Sequence, residues 1–279
     1  MEAKILHTVK GQPAVDGAGV KLVRVLGGPT IEKWDPFLMM DSFDSTNYDD
    51  YKAGFPTHPH RGIETITYLS QGHVTHEDSM GNKKTIGPGM IQWMTAGSGI
   101  LHSETFEEQD RLLGLQLWLN LPQKDKMTAP KYQEVNPEDA AVVEVDNSKV
   151  RVLAGDYEGN QGFQAHHNPM DFYAIDIPAG ESITMDVKDG YTTHLFTLLS
   201  DVTVNGQEIR EKTDILVSEG SVTIEATEAA EVVWMASPEL NESVAWGGPI
   251  VMNTEEELRQ AFQELRAGTF IKEAIEDEA

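Results

Sequence analysis

The run Gly114-Leu-Gln-Leu-Trp-Leu-Asn-Leu121 shows the pattern that decides the fold of this chain. Large apolar residues occupy every second position, so that one side of an extended chain is entirely apolar. Such alternation is typical of a β-strand with one buried face. It occurs again in Ile63-Glu-Thr-Ile-Thr-Tyr-Leu69 and in Met90-Ile-Gln-Trp-Met-Thr95, and it returns after residue 150. Many short strands separated by Gly, Pro, Asn and Asp turns indicate an all-β protein built as a sandwich or barrel.

The sequence divides into two similar β halves. Residues 124–147 contain few large apolar residues and carry Pro130 and Pro137, which is typical of a linker or crossover. Thr67-Tyr-Leu-Ser70 matches Thr197-Leu-Leu-Ser200 at an offset of 130 residues (197 minus 67), inside a comparable run of strands. We therefore expect a duplicated fold, with domains over residues 1–135 and 136–245 and a C-terminal helical extension over residues 246–279.

One segment of this extension is predicted to form an α-helix. Thr254 and Glu257 have the spacing of a capping box, and Gly268 lies where a C-terminal cap is expected. Between them, apolar residues recur at helical spacing: Leu258, Ala261, Phe262 and Leu265. This apolar stripe predicts a helix that packs against a β domain.

Composition restricts the classes of function. The chain has 279 residues, with 21 Lys and Arg against 46 Asp and Glu, so its formal net charge is −25. Such an acidic surface disfavours direct binding to nucleic acid or to an anionic membrane. No stretch approaches the roughly 20 apolar residues needed to span a bilayer, and we expect a cytoplasmic protein. The absence of cysteine excludes disulfides and thiolate ligands, so any metal must be held by His, Asp, Glu or carbonyl oxygens.

Two short motifs have the spacing of metal-ligand pairs. They are His58-Pro-His60 and His102-Ser-Glu104. In an extended chain, residues i and i+2 project from the same face about 7 Å apart, so that each pair can approach one cation from one side. On facing strands the two pairs would supply three imidazoles and one carboxylate, and would leave up to two octahedral positions open.

The remaining histidines lack such an arrangement. We interpret His73 and His76 as non-ligands because neither shows a carboxylate at matching phase. His166 and His167 are adjacent and point in opposite directions along an extended chain. The predicted site therefore depends on the two i, i+2 pairs alone.

These motifs, in their wider context, resemble the pirin family, a bicupin branch of the cupin superfamily. The resemblance is carried by Phe55-Pro-Thr-His-Pro-His-Arg-Gly-Ile-Glu-Thr-Ile-Thr-Tyr68 and Gln92-Trp-Met-Thr-Ala-Gly-Ser-Gly-Ile-Leu-His-Ser-Glu104. Asp35-Pro-Phe-Leu-Met-Met-Asp41 and Gly248-Pro-Ile-Val-Met-Asn-Thr254 extend it towards both ends. It implies two tandem cupin domains, which are jelly-roll-like β-barrels, with a C-terminal helix.

The resemblance also implies one metal per chain, bound by His58, His60, His102 and Glu104 in the N-terminal cupin. General cupins more often use a glutamate four residues after the second histidine, which is Glu64 here. We favour Glu104 because it shares a face with His102, and leave Glu64 as a strand residue or a partner of the ligands. The 130-residue offset places Lys188 and Gly190 where the first pair would recur, so we expect the second cupin to be metal-free.

The resemblance further implies a chemistry for this site. Iron(II) is the expected metal, and cobalt, nickel, manganese, copper or zinc are alternatives. The activity implied is that of a quercetin 2,3-dioxygenase, which cleaves a flavonol with dioxygen and releases carbon monoxide, with Glu104 as ligand and base. Phe55, Trp93 and Met94 are candidate pocket residues or plain core residues. The alternative is an iron-dependent, redox-sensing protein that regulates a protein partner without turnover.

Overall fold

A computed structural model describes residues 1–273 of the chain. Strands make up most of it, as the period-two alternation predicts. In chain order they are β1 (Ile5–Lys10), β2 (Gln12–Asp16), β3 (Val20–Leu26), β4 (Phe37–Ser45), β5 (Phe55–His60), β6 (Ile63–Gln71), β7 (Val74–Asp78), β8 (Lys83–Ile86), β9 (Ile91–Thr95), β10 (Ile100–Thr105), β11 (Leu112–Asn120), β12 (Lys131–Val135), β13 (Ala141–Val145), β14 (Ser148–Ala154), β15 (Asp156–Tyr157), β16 (Asn160–Gln161), β17 (Asp171–Ile177), β18 (Ser182–Asp186), β19 (Tyr191–Leu199), β20 (Val202–Val204), β21 (Gln207–Ile209), β22 (Thr213–Val217), β23 (Ser221–Glu225), β24 (Ala230–Pro238), β25 (Ala245–Gly247) and β26 (Ile250–Met252).

The α-helix of the described residues is α1 (Glu255–Ala267), where the sequence predicts it. Thr254 Oγ1 accepts a hydrogen bond from the backbone N–H of Glu257, whose carboxylate accepts one from the backbone N–H of Thr254. Gly268 ends the helix in the left-handed conformation, with φ of 71°. The apolar stripe packs in a small core with β25 and β26, which confirms the predicted packing role.

The chain forms two compact units that are interleaved in sequence. The first unit comprises Pro13–Leu22, Phe37–Glu134 and Leu240–Ala279, of which residues 274–279 lie outside the described part. The second unit comprises Met1–Gln12, Val23–Pro36 and Val135–Glu239. Each unit thus combines segments from separate parts of the sequence, and one change of unit lies between residues 134 and 135. Local composition marks such a linker, whereas the assignment of the N-terminal strand and the C-terminal helix depends on long-range pairing.

The first unit contains a large and a small antiparallel sheet. The large sheet has the order β12-β9-β6-β11-β4-β3-β2, and the small sheet has the order β5-β10-β7-β8. Aromatic and aliphatic side chains from both sheets form a core that includes Phe43, Leu69, Val74 and Phe106. The strands named in the two ligand motifs, β5 and β10, are neighbours in the small sheet.

The second unit repeats this order with different strands. Its large sheet runs β1-β22-β19-β24-β17-β14-β13 and its small sheet β18-β23-β20-β21. Each strand therefore has a counterpart at the same place in the first unit, and the matched tetrapeptides lie on the counterparts β6 and β19. The all-β prediction of one fold used twice, with a C-terminal helix, is confirmed.

The counterparts of the ligand strands carry apolar side chains. On β18, the buried residues are Ile183 and Met185, and on β23 they are Val222 and Ile224. They belong to the core of the second unit. The sequence offset places the counterparts of His58 and His60 at Lys188 and Gly190, whereas the sheet order places them on β18. Neither β18 nor β23 contains a histidine. No helix of the described chain is long and apolar enough to cross a membrane.

Candidate metal centre

Three histidines from two neighbouring strands lie together in the first unit. In the antiparallel ladder between β5 and β10, His102 is opposite His58 and Ile100 is opposite His60. The ring centroids of His58 and His102 are 4.3 Å apart, and that of His60 is 4.8 Å and 5.0 Å from the other two. The two pairs therefore lie side by side in one sheet rather than on facing strands. One ring nitrogen from each histidine lies within 4.8 Å of the other two, and we call these three residues the histidine cluster.

Hydrogen bonds orient two rings of the histidine cluster. His58 Nδ1 is 2.9 Å from the carbonyl oxygen of Pro56, and His60 Nδ1 is 3.0 Å from that of Pro249. Because a carbonyl oxygen only accepts, both Nδ1 atoms carry the proton and both Nε2 atoms carry the lone pair. The two Nε2 atoms are 3.1 Å apart. Two lone pairs so close repel each other unless a cation lies between them, so this donor set fits a metal ion.

The third ring and the electrostatics agree with this fit. His102 Nε2 is buried and has no hydrogen-bond partner among the described residues. Burial lowers the pKa of His60 to about 3, with a further lowering from His58. Burial and then His60 also hold the pKa of His102 well below its usual value. His60 and His102 consequently stay in the neutral form that binds metal. Nitrogen donors without sulfur suit a first-row divalent metal.

Glu104 lies next to the histidine cluster but makes a different contact. Its side chain is buried, and its two carboxylate oxygens accept hydrogen bonds of 2.9 and 3.1 Å from Gln116 Nε2 on β11. The carboxylate is not one of the three groups that converge. Burial raises the pKa of Glu104, and the hydrogen bond from Gln116 opposes this shift. Such a carboxylate accepts a proton more readily than an exposed one.

Glu64 lies on the other side of the large sheet. Its Oε1 accepts a hydrogen bond of 2.6 Å from Thr95 Oγ1. Gln92 lies on the same strand as Thr95 and contacts His76 and Tyr132, so its side chain faces the interior that contains the cluster. Because side chains alternate along a strand, Met94 faces the same interior and Thr95 faces away from it. The alternation of the strand thus separates Glu64 from the histidines, which leaves Glu104 as the nearer carboxylate.

The three candidate pocket residues occupy different places. Met94 is opposite Thr65 in the ladder and shares the interior face with Trp118, which is also opposite Thr65. Trp93 points to the opposite face, because successive side chains of a strand alternate, so it does not line this interior. The ring of Phe55 packs with the aromatic rings of the core, at 6.3 Å from both Phe43 and Phe106.

Sequence reasoning missed several residues that contact the cluster. Trp118 meets His60 edge-on with the ring centroids 4.9 Å apart, and its buried Nε1 has no partner among the described residues. His76 Nδ1 is 3.3 Å from His102 Nδ1, and His76 Nε2 is 2.9 Å from Asp78. Our statement that His76 has no carboxylate at matching phase is therefore wrong. His76-Glu-Asp78 has the same i, i+2 spacing as the ligand pairs, and that spacing could have identified it.

Comparison with known proteins agrees with this architecture. The Pirin family model matches residues 19–119, and the model of the Pirin C-terminal cupin domain matches residues 172–271. The chain is 42% identical over 274 residues to a provisionally named quercetin 2,3-dioxygenase of Pseudomonas aeruginosa, covering 94% of this chain and 95% of that protein. It is 34% identical over 271 residues to pirin of Homo sapiens, covering 94% and 92%.

A solved structure is similar over the whole chain. The crystal structure of a quercetin 2,3-dioxygenase from Acinetobacter baumannii matches with a TM-score of 0.89 and 32% identity. It covers 99% of this chain and 100% of that one. With two family models, relatives matched over nearly their full length and the duplicated sheets, the chain belongs to the pirin family of bicupins.

Proposed function

We propose that this protein is a metal-dependent dioxygenase that cleaves a flavonol with dioxygen, as a quercetin 2,3-dioxygenase does. The single observation that carries the proposal is the histidine cluster, whose lone pairs converge in a buried interior beside a carboxylate of raised pKa. The names of the P. aeruginosa relative and of the A. baumannii structure support this choice of reaction.

The metal ligands in this proposal are His58, His60 and His102, with Glu104 as the fourth. Glu104 and His102 are both buried on β10 at i, i+2 spacing, so that release of the carboxylate from Gln116 would let it join the three nitrogens. A divalent metal bound there, which we expect to be iron(II), supplies a Lewis acid to a hydroxyl oxygen of the substrate.

Glu104 also has the properties of the base. A flavonol must lose the proton of its 3-hydroxyl group before it is attacked by dioxygen, and a buried carboxylate of raised pKa can accept that proton. Gln116 Nε2 donates to both oxygens of the carboxylate and so orients it before its release. Glu104→Gln, which keeps the shape of the side chain, is expected to abolish turnover even where metal is retained.

The walls of the interior suit an aromatic substrate. Trp118 and Met94 supply large apolar surfaces on one face of the large sheet. Trp246 contacts Trp118 with the ring centroids 6.0 Å apart. The buried Nε1–H of Trp118 offers a hydrogen bond to a substrate oxygen that no described residue takes. Such a site combines apolar area with a few polar groups, as small-molecule pockets do.

The test is turnover by metal-loaded protein. Chain loaded with iron(II) without oxygen is mixed with quercetin and air, and we expect loss of the flavonol absorbance with release of carbon monoxide. His102→Ala should lose metal and turnover together, whereas His73→Ala, which removes a histidine outside the cluster, should keep both. One metal per chain without turnover would refute the dioxygenase and favour the redox-sensing binding protein. Full metal content in a folded His102→Ala variant would refute the ligand assignment.

A further inference from the structure

A buried hydrogen-bonded chain runs from Asp78 through His76 to His102. His76 Nε2 lies 2.9 Å from Asp78 Oδ2, and both side chains are completely buried. His76 Nδ1 lies 3.3 Å from His102 Nδ1. His76 and Asp78 come from β7, which is the other neighbour of β10 in the small sheet. The ladder places His102 opposite Asp78 and Glu104 opposite His76, so His76 and His102 are diagonal neighbours across the two strands.

The surroundings of Asp78 fix it as a pure acceptor. Its Oδ1 accepts hydrogen bonds from the backbone N–H groups of Met80 and Asn82, at 2.9 and 3.1 Å. Its Oδ2 accepts from Asn82 Nδ2 at 2.8 Å in addition to His76. With donors on both oxygens, the carboxylate has no place for a proton of its own. His76 Nε2 must therefore be the donor in its contact with Asp78.

The direction of the hydrogen bond from His76 to Asp78 also determines the tautomer of His102. With its proton on Nε2, His76 presents a single lone pair at Nδ1, which lies 3.3 Å from His102 Nδ1 and 3.4 Å from Gln92 Nε2. Tyr132 stacks on the ring of His76, with the centroids 4.7 Å apart and the planes at 30°, and holds its orientation. His102 Nδ1 then donates to His76 Nδ1, and the lone pair of His102 is left on Nε2, the buried atom without a partner among the described residues.

We propose that His76 and Asp78 are positioning residues that hold His102 in the tautomer whose Nε2 lone pair faces the histidine cluster. The proposal rests on the ligand role of His102 in the proposed function. Carbonyl oxygens set the tautomers of His58 and His60, and this pair of residues does so for the third ring. Partners of this kind typically contribute a factor of about 10 to 100 to metal affinity.

The substitution Asp78→Asn separates this proposal from a merely structural role. Oδ1 faces two backbone N–H groups, so the amide oxygen of the substituted side chain stays there and its NH₂ group faces His76. His76 must then accept at Nε2 and carry its proton on Nδ1. It donates to His102 Nδ1, and the His102 proton moves to Nε2, where it occupies the lone pair needed by a metal. A carboxylate-to-amide change that reverses an imidazole tautomer is known to disable a histidine in this way.

The first measurement is imidazole ¹⁵N NMR of the metal-free chain, labelled at histidine, with His102 assigned from His102→Ala. We expect the proton of His102 on Nδ1 in the natural sequence and on Nε2 in Asp78→Asn. A His102 that carries its proton on Nε2 in the natural sequence, or that keeps its tautomer in Asp78→Asn, overturns the proposal. This readout needs neither metal nor substrate, so it is independent of whether flavonol is turned over.

The second measurement is the affinity for Co²⁺ by competition with a chelator. We expect Asp78→Asn and His76→Leu to bind about 10- to 100-fold more weakly. His76→Gln, whose amide oxygen can still accept from His102, should recover part of the loss, and His73→Gln should bind as the natural sequence does. Equal affinity of His76→Leu and the natural sequence overturns the proposal. If Asp78→Asn fails to fold, the comparison of His76→Leu with His76→Gln gives the same decision.

Discussion

Arg61→Met is expected to destabilise the first unit and to show how the C-terminal segment is attached to the site. The Arg61 side chain is 2% exposed. Its Nε donates to the carbonyl oxygen of Ser98 at 2.6 Å, Nη1 to Glu264 at 2.8 Å and Nη2 to the carbonyl oxygen of Phe270 at 2.8 Å. The guanidinium carbon also lies 4.2 Å from the centre of the Phe270 ring. One side chain thus joins a turn of the barrel to α1 and to the residues after it.

The magnitude follows from what each partner loses. Removing one member of a buried ion pair costs about 3–5 kcal/mol. Glu264 is 17% exposed and keeps its ion pair with Lys272 at 2.8 Å, so its charge retains a partner and the low end applies. We therefore expect a loss of about 3 kcal/mol in the free energy of unfolding of the first unit. For a domain of about 150 residues this lowers the melting temperature by about 6–12 °C.

The assay is thermal and urea unfolding of Arg61→Met beside a matched lysine variant. Lys52→Met removes an exposed ion pair with Asp49 in the same unit and should leave the unfolding transition nearly unchanged. Arg61→Lys should also lose most of the stabilisation, because one ammonium group cannot reach three separated acceptors. A melting temperature of Arg61→Met within about 2 °C of the natural sequence would refute the assignment of Arg61 as the anchor.

Three further outcomes are expected. Hydrogen bonds from Lys272 and Arg61 lower the pKa of Glu264 to about 2. The ionised carboxylate therefore contributes fully to the free energy of unfolding above its unfolded pKa of about 4.3, and this contribution is lost as the pH falls towards about 2. The difference in stability between Arg61→Met and the natural sequence should narrow below about pH 4, as urea unfolding midpoints measure. Free divalent metal at 100 times its dissociation constant should stabilise the natural sequence by about 2.7 kcal/mol and His102→Ala by much less, as calorimetry checks; equal shifts would contradict the site. Thr254→Ala removes the cap of α1 and should cost about 1 kcal/mol, whereas the exposed Gln260→Ala should change unfolding little; equal costs would argue against the cap.

Local patterns in the sequence predicted those features that depend on neighbouring residues. The alternation around Leu115 gives strand β11, and the capping residues Thr254 and Gly268 give the bounds of α1 within one residue. The i, i+2 spacing also places His58 with His60 on one strand face, because that relation is a property of a single extended segment. The ligand motifs could therefore be identified before any pairing of strands was known.

Features that depend on strand pairing could not be predicted in this way. The carbonyl oxygen that orients His60 belongs to Pro249, 189 residues later in the chain. Gln116, which holds Glu104, looks like an ordinary polar position of an alternating strand until the large sheet is assembled. The interleaving of the units has the same origin, since nothing local tells a terminal strand or helix which half it joins.

The groups that accept hydrogen bonds from the three imidazole rings lie at different distances along the sequence from the histidines they orient. This difference affects metal binding. Pro56 is two residues from His58 and is retained in any conformation that keeps β5. His60 depends on the segment that Arg61 and α1 hold in place, and His102 depends on β7 through His76. Complete preorganisation of the cluster therefore requires the small sheet and the C-terminal segment to be folded together. Variants that loosen Arg61 without touching a ligand should therefore weaken metal binding to the extent that they populate conformations in which Pro249 no longer contacts His60.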